Sequence, residues 1–233
     1  EHTLKKKELN GYMDGDDYGS IPKPEGYEFR PLYWADKDFF FGGISYAVNF
    51  KHMLEAHPLY VDPLEIMCGR WTDMLPMYAR RGQAYDTMYP YDELKPLQQF
   101  YDIGSGIGAD AHFACDYTIG LKAGFGGLLD KIRHYKKINP EKEEFYLAEE
   151  ITIQAIIDFI GRHIEEIKRQ LLAETRPELA DTLREMLHAN EAIQYGKPET
   201  FLEACQWIAW FNTVSRIYDR DGAGCNLDQI LYP

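Results

Sequence analysis

The sequence has few basic residues for its length. Its 233 residues include 25 Lys and Arg against 38 Asp and Glu, which gives a net charge of −13. Nucleic acids and anionic membrane surfaces are bound by basic faces, so this balance argues against both as partners. No apolar run approaches the roughly 20 residues of a membrane span. No signal-peptide pattern opens the sequence, because the lysines at 5–7 are followed by polar residues.

Cysteine is sparse and scattered. No two of the four cysteines form a C-x-x-C pair; they are Cys68, Cys115, Cys205 and Cys225. This usage predicts a reduced, cytoplasmic setting rather than a disulfide framework. The long helical pattern over residues 140–174 lacks a Glu-x-x-His pair, so we expect no carboxylate-bridged metal site there, and no metal ligand is predicted elsewhere.

What is abundant is apolar and aromatic surface. Hydrophobic residues make up 45% of the chain, which excludes a disordered protein. A length of 233 residues is enough for one domain with a real core or two small ones. Residues 1–40, in which Gly, Asp and Pro recur, are predicted to be an irregular arm. Its aromatic residues would let it lie across a larger body; they include Phe29, Tyr33, Trp34 and Phe39.

Hydrophobic periodicity predicts a mainly α-helical chain with a few short strands. The predicted helices span about 45–57, 117–136, 140–174 and 177–195, and a last helix begins at Pro198. Asn139 is the expected cap of the longest helix, whose inner stripe includes Ile156, Ile160 and Ile164. Two short extended pieces, 59–61 and 65–68, flank an Asp62-Pro63 turn.

Two local patterns carry further structural predictions. Gly120, Gly124, Gly126 and Gly127 each cost about 1 kcal/mol in a helix interior, so they imply close contact with another element or a break near Gly126. In the last helix one apolar face is predicted, and it consists of Phe201, Ala204, Cys205, Ile208 and Phe211.

The carboxyl-terminal segment contains two characteristic blocks. Residues 198–206 read P-E-T-F-L-E-A-C-Q and residues 226–233 read N-L-D-Q-I-L-Y-P, with a glycine-rich bend at 221–224 between them. Asp228 and Gln229 stand between apolar residues, which predicts a buried, hydrogen-bonded anchor. The two blocks resemble P-x-T-F-x-E-A-L-Q … G-R-L-D-Q-x-L-Y-P of the glycyl radical enzymes, the pyruvate formate-lyase-like family.

Two earlier stretches support the same resemblance. Pro58, Val61, Glu65 and Gly69 match P-x-x-I-x-x-x-E-x-x-x-G, where Glu65 is expected to make a structural hydrogen bond. Residues 111–124 resemble G-H-x-x-x-D-Y-x-x-x-L-x-x-G, with Ala111 in place of the first glycine.

The resemblance implies a fold and a chemistry. Residues 1–233 would be the N-terminal portion of such an enzyme, with 41–233 forming the helical layer and first wall of a ten-stranded α/β barrel. Family members are lyases, dehydratases or decarboxylases of small polar molecules. A radical stored on a glycine passes to a cysteine, which abstracts hydrogen from the substrate. An iron–sulfur activating enzyme that uses S-adenosylmethionine installs this radical.

The resemblance also assigns residues. His112 takes a substrate-facing position, and a histidine there favours a hydroxylated or otherwise polar substrate. Cys115, Ala223 and Asp228 are further substrate-binding candidates, although Ala223 stands where dehydratases often have a serine, and Asn226 replaces the usual arginine. The structural candidates are Asp116, which caps the next helix, Tyr117, which packs, and Gln229.

No catalytic residue is expected within this chain. The R-V-x-G-Y radical motif is absent from the sequence, and none of the four cysteines has the family's catalytic context. The expected partners are the substrate, the activating enzyme, the rest of the polypeptide and a second copy in a homodimer. Two alternatives stay open: a freestanding, non-catalytic helical protein that binds a partner, and a nucleotide-binding enzyme that uses the Gly-x-Gly-x-Gly loop at 104–108.

Overall fold

The computed structural model describes residues 20–32, 42–79, 96–97, 99–101, 111–112, 114–221 and 226–232. Its helices are α1 (Gly43–Ala56), α2 (Pro76–Ala79), α3 (Tyr117–Ile138), α4 (Glu143–Ala173), α5 (Pro177–Tyr195), α6 (Phe201–Tyr218) and α7 (Leu227–Leu231), and a 3₁₀ turn (Pro140–Lys142) precedes α4. Strands β1 (Ala111–His112) and β2 (Arg220–Asp221) pair in parallel. The predicted mainly helical fold with short strands is therefore confirmed over these residues.

Helix α4 is the centre of the packing. It lies against α1, α3 and α5, and the predicted isoleucine stripe is buried, with Ile157, Ile160 and Ile167 fully enclosed. Burying such a stripe removes apolar surface from water and is the main driving force for this packing. Arg162 also links α4 to α1, because its guanidinium donates to the carbonyl oxygens of Leu54 (2.6 Å) and His57 (3.3 Å) at the end of α1.

Three local predictions are wrong. Asn139 does not cap α4: its side-chain amide donates backwards to the Tyr135 carbonyl oxygen at 3.0 Å, because the chain enters α4 through the 3₁₀ turn. Pro198 does not open the last helix. Instead the helix begins at Phe201, after a capping box formed by Thr200 and Glu203. The side chain of each of these two residues accepts a hydrogen bond from the backbone N–H of the other.

The third error concerns the buried face of α6. Phe201 is 69% exposed, whereas Trp207 and Trp210 are buried. The face is rotated from the predicted one, because two indole rings bury more apolar area than Ala204 or Cys205. Its buried residues are Glu203, Gln206, Trp207, Ile208, Trp210, Thr213, Val214 and Ile217.

The amino-terminal segments cover this helical body. Phe29, from the predicted arm, is buried, with its ring 5.3 Å from His52 and 4.9 Å from Tyr78. In the loop of residues 57–75 the predicted Asp62-Pro63 turn is present, with the Glu65 N–H donating to the Asp62 carbonyl oxygen at 2.9 Å, but the pieces at 59–61 and 65–68 that flank it are not strands. As predicted, Glu65 has a structural role, since it forms an ion pair with Arg70.

A buried amide ties this loop to the helices. The side chain of Gln206 accepts from the Cys68 N–H (2.9 Å) and donates to the Cys68 carbonyl oxygen (2.8 Å), as a neighbouring strand would. The Asn190 amide donates to the same Gln206 oxygen, and Trp210 Nε1–H donates to Asn190 Oδ1 at 2.6 Å. Since Gln206 and Asn190 are fully buried, each of these partners is needed.

The glycines of α3 allow close contact with other elements, as the sequence predicted. A Cβ on Gly120 would lie 2.0 Å from the Trp207 ring, and one on Gly124 would lie 2.2 Å from the Gly196 carbonyl oxygen. Gly124 also has a φ of +66°, which kinks the helix. Helix α3 therefore packs directly on the backbone at the end of α5, two residues before the predicted break at Gly126.

We expect Gly124→Ala to destabilise the chain by about 3 kcal/mol, because the new methyl group meets a backbone carbonyl in a left-handed conformation. Gly127→Ala, in the same helix, is the matched control. Its Cβ meets only Ala123 Cβ, at 3.4 Å, so helix propensity should stabilise the chain by about 1 kcal/mol. Urea unfolding followed by circular dichroism measures both, and equal effects of the two variants would contradict the assigned contact.

Replacing Gln206 with Leu should lower the free energy of unfolding by about 3 kcal/mol, because the buried N–H and C=O of Cys68 lose their hydrogen-bond partners. The comparison is Gln154→Leu, where the amide donates to Asp158 on the exposed side of α4 and a change below about 0.5 kcal/mol is expected. Urea unfolding measures both variants. If Gln206→Leu unfolds at the same urea concentration as Gln154→Leu, the buried amide does not hold the loop.

Candidate functional site

Of the residues predicted to bind substrate, His112 lies in the short parallel sheet. In its register Ala111 faces Arg220 and His112 faces Asp221. Strand β1 leads into α3, and β2 follows the end of α6 after the single residue Asp219. The sheet thus brings His112 beside a residue 109 positions later in the sequence, at the point where α3 begins and α6 ends.

The two structural predictions next to His112 are confirmed. The Asp116 carboxylate accepts from the Thr118 N–H at 3.0 Å and caps α3. Hydrogen bonds from the Thr118 hydroxyl and N–H lower the pKa of this carboxyl, so it is ionised near neutral pH. Tyr117 is buried and packs against the ring of Phe211, with the ring centroids 5.4 Å apart.

Sequence analysis missed two residues of this region, Asn212 and Arg220. Asn212 Oδ1 accepts from the Tyr117 hydroxyl and from Arg220 Nη1, both at 2.6 Å. Arg220 is buried, whereas Asn212 lies at the surface. The sequence patterns that could have pointed to them are an asparagine at the end of the apolar run W-I-A-W-F-N and an arginine just after the last helix turn. Neither pattern specifies a distant partner.

The other substrate candidates are less closely placed. Cys115 is half-buried, three residues after His112, and packs against the core. Asp228 lies in α7, which contacts the core through Ile230 and Leu231. Ala223 and the loop at 104–108 fall outside the described residues.

The predicted burial of Asp228 and Gln229 is wrong. Both side chains are exposed, and the Gln229 amide oxygen accepts only a long 3.4 Å bond from Asn226 among the contacts seen. The reason is that α7 has five residues and none of them is buried. One side of this helix meets the core, and no described element covers the side that carries the carboxylate.

The described cysteines differ in exposure. Cys68 is buried, while Cys115 and Cys205 are partly exposed. Burial, with a smaller contribution from Glu65, raises the pKa of the Cys68 thiol to about 12, so it is protonated at neutral pH. Within the described ranges no three His, Cys, Asp or Glu side chains come close enough to bind a metal ion, and no helix is long and apolar enough to cross a membrane.

Comparison with known proteins gives consistent matches. The family profile of pyruvate formate lyase-like proteins matches residues 98–233. The chain is 29% identical over 132 residues to (2S)-3-sulfopropanediol dehydratase of Klebsiella oxytoca. This alignment covers 52% of this chain and 16% of that protein. It is 26% identical over 140 residues to the probable dehydratase YbiW of Escherichia coli (strain K12), covering 56% and 17%.

Two solved structures share the fold. A glycyl radical enzyme from Archaeoglobus fulgidus superposes with a TM-score of 0.65 at 19% identity, over 82% of this chain and 32% of that one. The glycerol-bound B12-independent glycerol dehydratase from Clostridium butyricum gives 0.63 at 16% identity, over 82% and 31%. The chain thus matches about a third of the length of these structures and less than a fifth of the curated relatives.

We expect iodoacetamide to label Cys68 in the folded chain roughly a hundredfold or more slowly than Cys205, because the Cys68 thiolate is nearly absent and the sulfur is enclosed. Peptide mass spectrometry at pH 8 measures both rates, and labelling in urea should abolish the difference. Equal rates in the folded chain would contradict the burial of Cys68.

Proposed function

Because the chain belongs to the pyruvate formate lyase-like family, we propose that it is the N-terminal portion of a glycyl radical enzyme that acts as a lyase, dehydratase or decarboxylase on a small polar organic molecule. The observation that supports this most is the match over residues 98–233, which includes both strands of the short sheet. The dehydratases among the relatives favour a hydroxylated substrate.

In this proposal residues 41–233 contribute the helical layer and the first wall of the family's ten-stranded α/β barrel, and 1–40 form an arm across it. The catalytic cysteine and radical glycine are proposed to lie outside these residues, because the sequence contains neither the R-V-x-G-Y motif nor a cysteine in the family's catalytic context, and the segment alone is proposed to be inactive. When present, the radical supplies hydrogen abstraction. Its installation by the activating enzyme, homodimer formation and a cytoplasmic, anaerobic setting belong to the same proposal.

The role of this chain is to hold the substrate. We assign His112 to the substrate's hydroxyl or other polar group, since an imidazole can donate or accept a hydrogen bond. Cys115, Ala223 and Asp228 complete the proposed wall. The exposure of Asp228 and the partial exposure of Cys115 are consistent with a surface that receives a ligand or the rest of the protein.

A second candidate is the freestanding, non-catalytic protein. It is supported by the continuous core of the chain itself, which joins α1, α3, α4, α5 and α6. The reading frame beyond Pro233 separates the two: a Cys-x-Glu segment followed far downstream by R-V-x-G-Y is expected for the enzyme, and a stop codon for the freestanding protein.

The mechanistic test uses the whole protein encoded by that frame, with its activating enzyme and S-adenosylmethionine under anaerobic conditions. We expect a glycyl radical signal by electron paramagnetic resonance. We also expect turnover of at least one of glycerol, (2S)-3-sulfopropanediol, pyruvate or an arylacetate. A full radical signal with none of the four consumed would contradict the proposed reaction classes, and no radical signal would contradict the proposal as a whole.

On the substrate that is consumed, His112→Ala should lower kcat/KM about 10- to 100-fold through loss of a substrate hydrogen bond, with an unchanged radical signal. His134→Ala is the matched control, because His134 is exposed on α3, and its kinetics should equal those of the parent. Unchanged kcat/KM in His112→Ala would remove His112 from the substrate site.

A further inference from the structure

The parallel sheet that contains His112 is short over the described residues, where each strand contributes two of them. Isolated two-stranded pairs are marginal in water. The pair also joins segments more than 100 residues apart, so its backbone hydrogen bonds must offset a loop-closure entropy. Other contacts must therefore fix its register.

The side-chain oxygen of Asn212 supplies such a contact. Oδ1 has two lone pairs, and both are used at 2.6 Å, one by the Tyr117 hydroxyl and one by Arg220 Nη1. Tyr117 is the first residue of α3, five residues after His112, and Arg220 is the first residue of β2. One atom on α6 thus joins the segments that follow β1 and form β2.

Further contacts hold β2 on α6. Arg216 Nη1 donates to the Arg220 carbonyl oxygen at 3.3 Å, and the Arg216 guanidinium lies 5.2 Å from the centre of the Trp71 ring. Arg220 is 7% exposed and Tyr117 is 2% exposed. A buried guanidinium or phenol is costly unless it is hydrogen-bonded, so the two bonds to Asn212 favour the arrangement in which both donors reach its oxygen.

We propose that Asn212 is a positioning residue: by holding Tyr117 and Arg220 it fixes the register of β1 on β2, and so the place of His112 in the substrate site. The inference rests on the proposed function for its kinetic consequence, while its structural part concerns the chain alone. Asn212 acts through other residues and is not itself assigned to the substrate.

The first experiment measures amide hydrogen exchange in the 233-residue chain. Asn212→Leu should speed exchange at 111–112 and 220–221 by tenfold or more, because Tyr117, which follows β1, and Arg220, in β2, lose their shared acceptor. Asn212→Asp keeps an acceptor for both donors and should restore slow exchange. Gln154→Leu removes an amide from an exposed part of α4 and should leave these positions unchanged.

The second experiment separates positioning from simple loss of stability. The kinetics are measured on the whole enzyme with the substrate it consumes, at a temperature well below the unfolding temperature of each variant. Asn212→Leu should raise KM about 5- to 20-fold with a smaller change in kcat, and Asn212→Asp should restore KM. Leu183→Ala, at a fully buried position on α5, is the destabilised comparison and should not change KM.

The outcomes distinguish the two proposals. Unchanged exchange at the strand pair in Asn212→Leu would overturn the positioning role whatever the kinetics. If exchange rises and KM stays constant in both Asn212→Leu and His112→Ala, the assignment of His112 to the substrate fails. If KM rises only in His112→Ala, or Leu183→Ala raises it as much as Asn212→Leu does, Asn212 has no positioning role in catalysis.

Discussion

The buried amide of Gln206 is the constraint on which the rest of the arrangement depends. It hydrogen-bonds both backbone groups of Cys68, and Asn190 and Trp210 complete the network. An amide buried without these partners would cost several kcal/mol, so the network strongly favours one placement of the 57–75 loop on α5 and α6. That placement in turn brings Trp71 beside Arg216, next to β2.

A second constraint, the close approach of α3, connects this core to the site. Trp207 follows Gln206 and fills the space left by Gly120, while Gly124 lets α3 reach the backbone after α5. Since β1 precedes α3 and β2 follows α6, the packing of these two helices decides where the strands meet. The candidate site is thus a consequence of helix packing, and Asn212 adjusts its final register.

The residues that carry the family resemblance have unequal roles. In the block at 198–206, Thr200 and Glu203 form a helix cap and Gln206 holds the loop, so this block is scaffolding. Within residues 111–124, Asp116, Tyr117 and Gly124 are also structural, and His112 is the residue proposed to contact substrate. The resemblance therefore identifies the fold more directly than the substrate, which agrees with relatives that share this part of the chain and bear different names.

The sequence by itself determined the helices, the family and the local roles of Asp116 and the α3 glycines, because helical periodicity, capping and steric demand depend on neighbouring residues. Tertiary structure alone decided the buried face of α6, the partners of Gln206, the exposure of Asp228 and the pairing of His112 with Asp221. Each of these depends on contacts between segments tens of residues apart or more, or on which elements cover a helix. A local pattern holds no information about such partners. Helix α6 buries the face that carries Gln206, Trp207 and Trp210 rather than the predicted one. The free energy gained by burying these side chains depends on the residues that surround them in the fold.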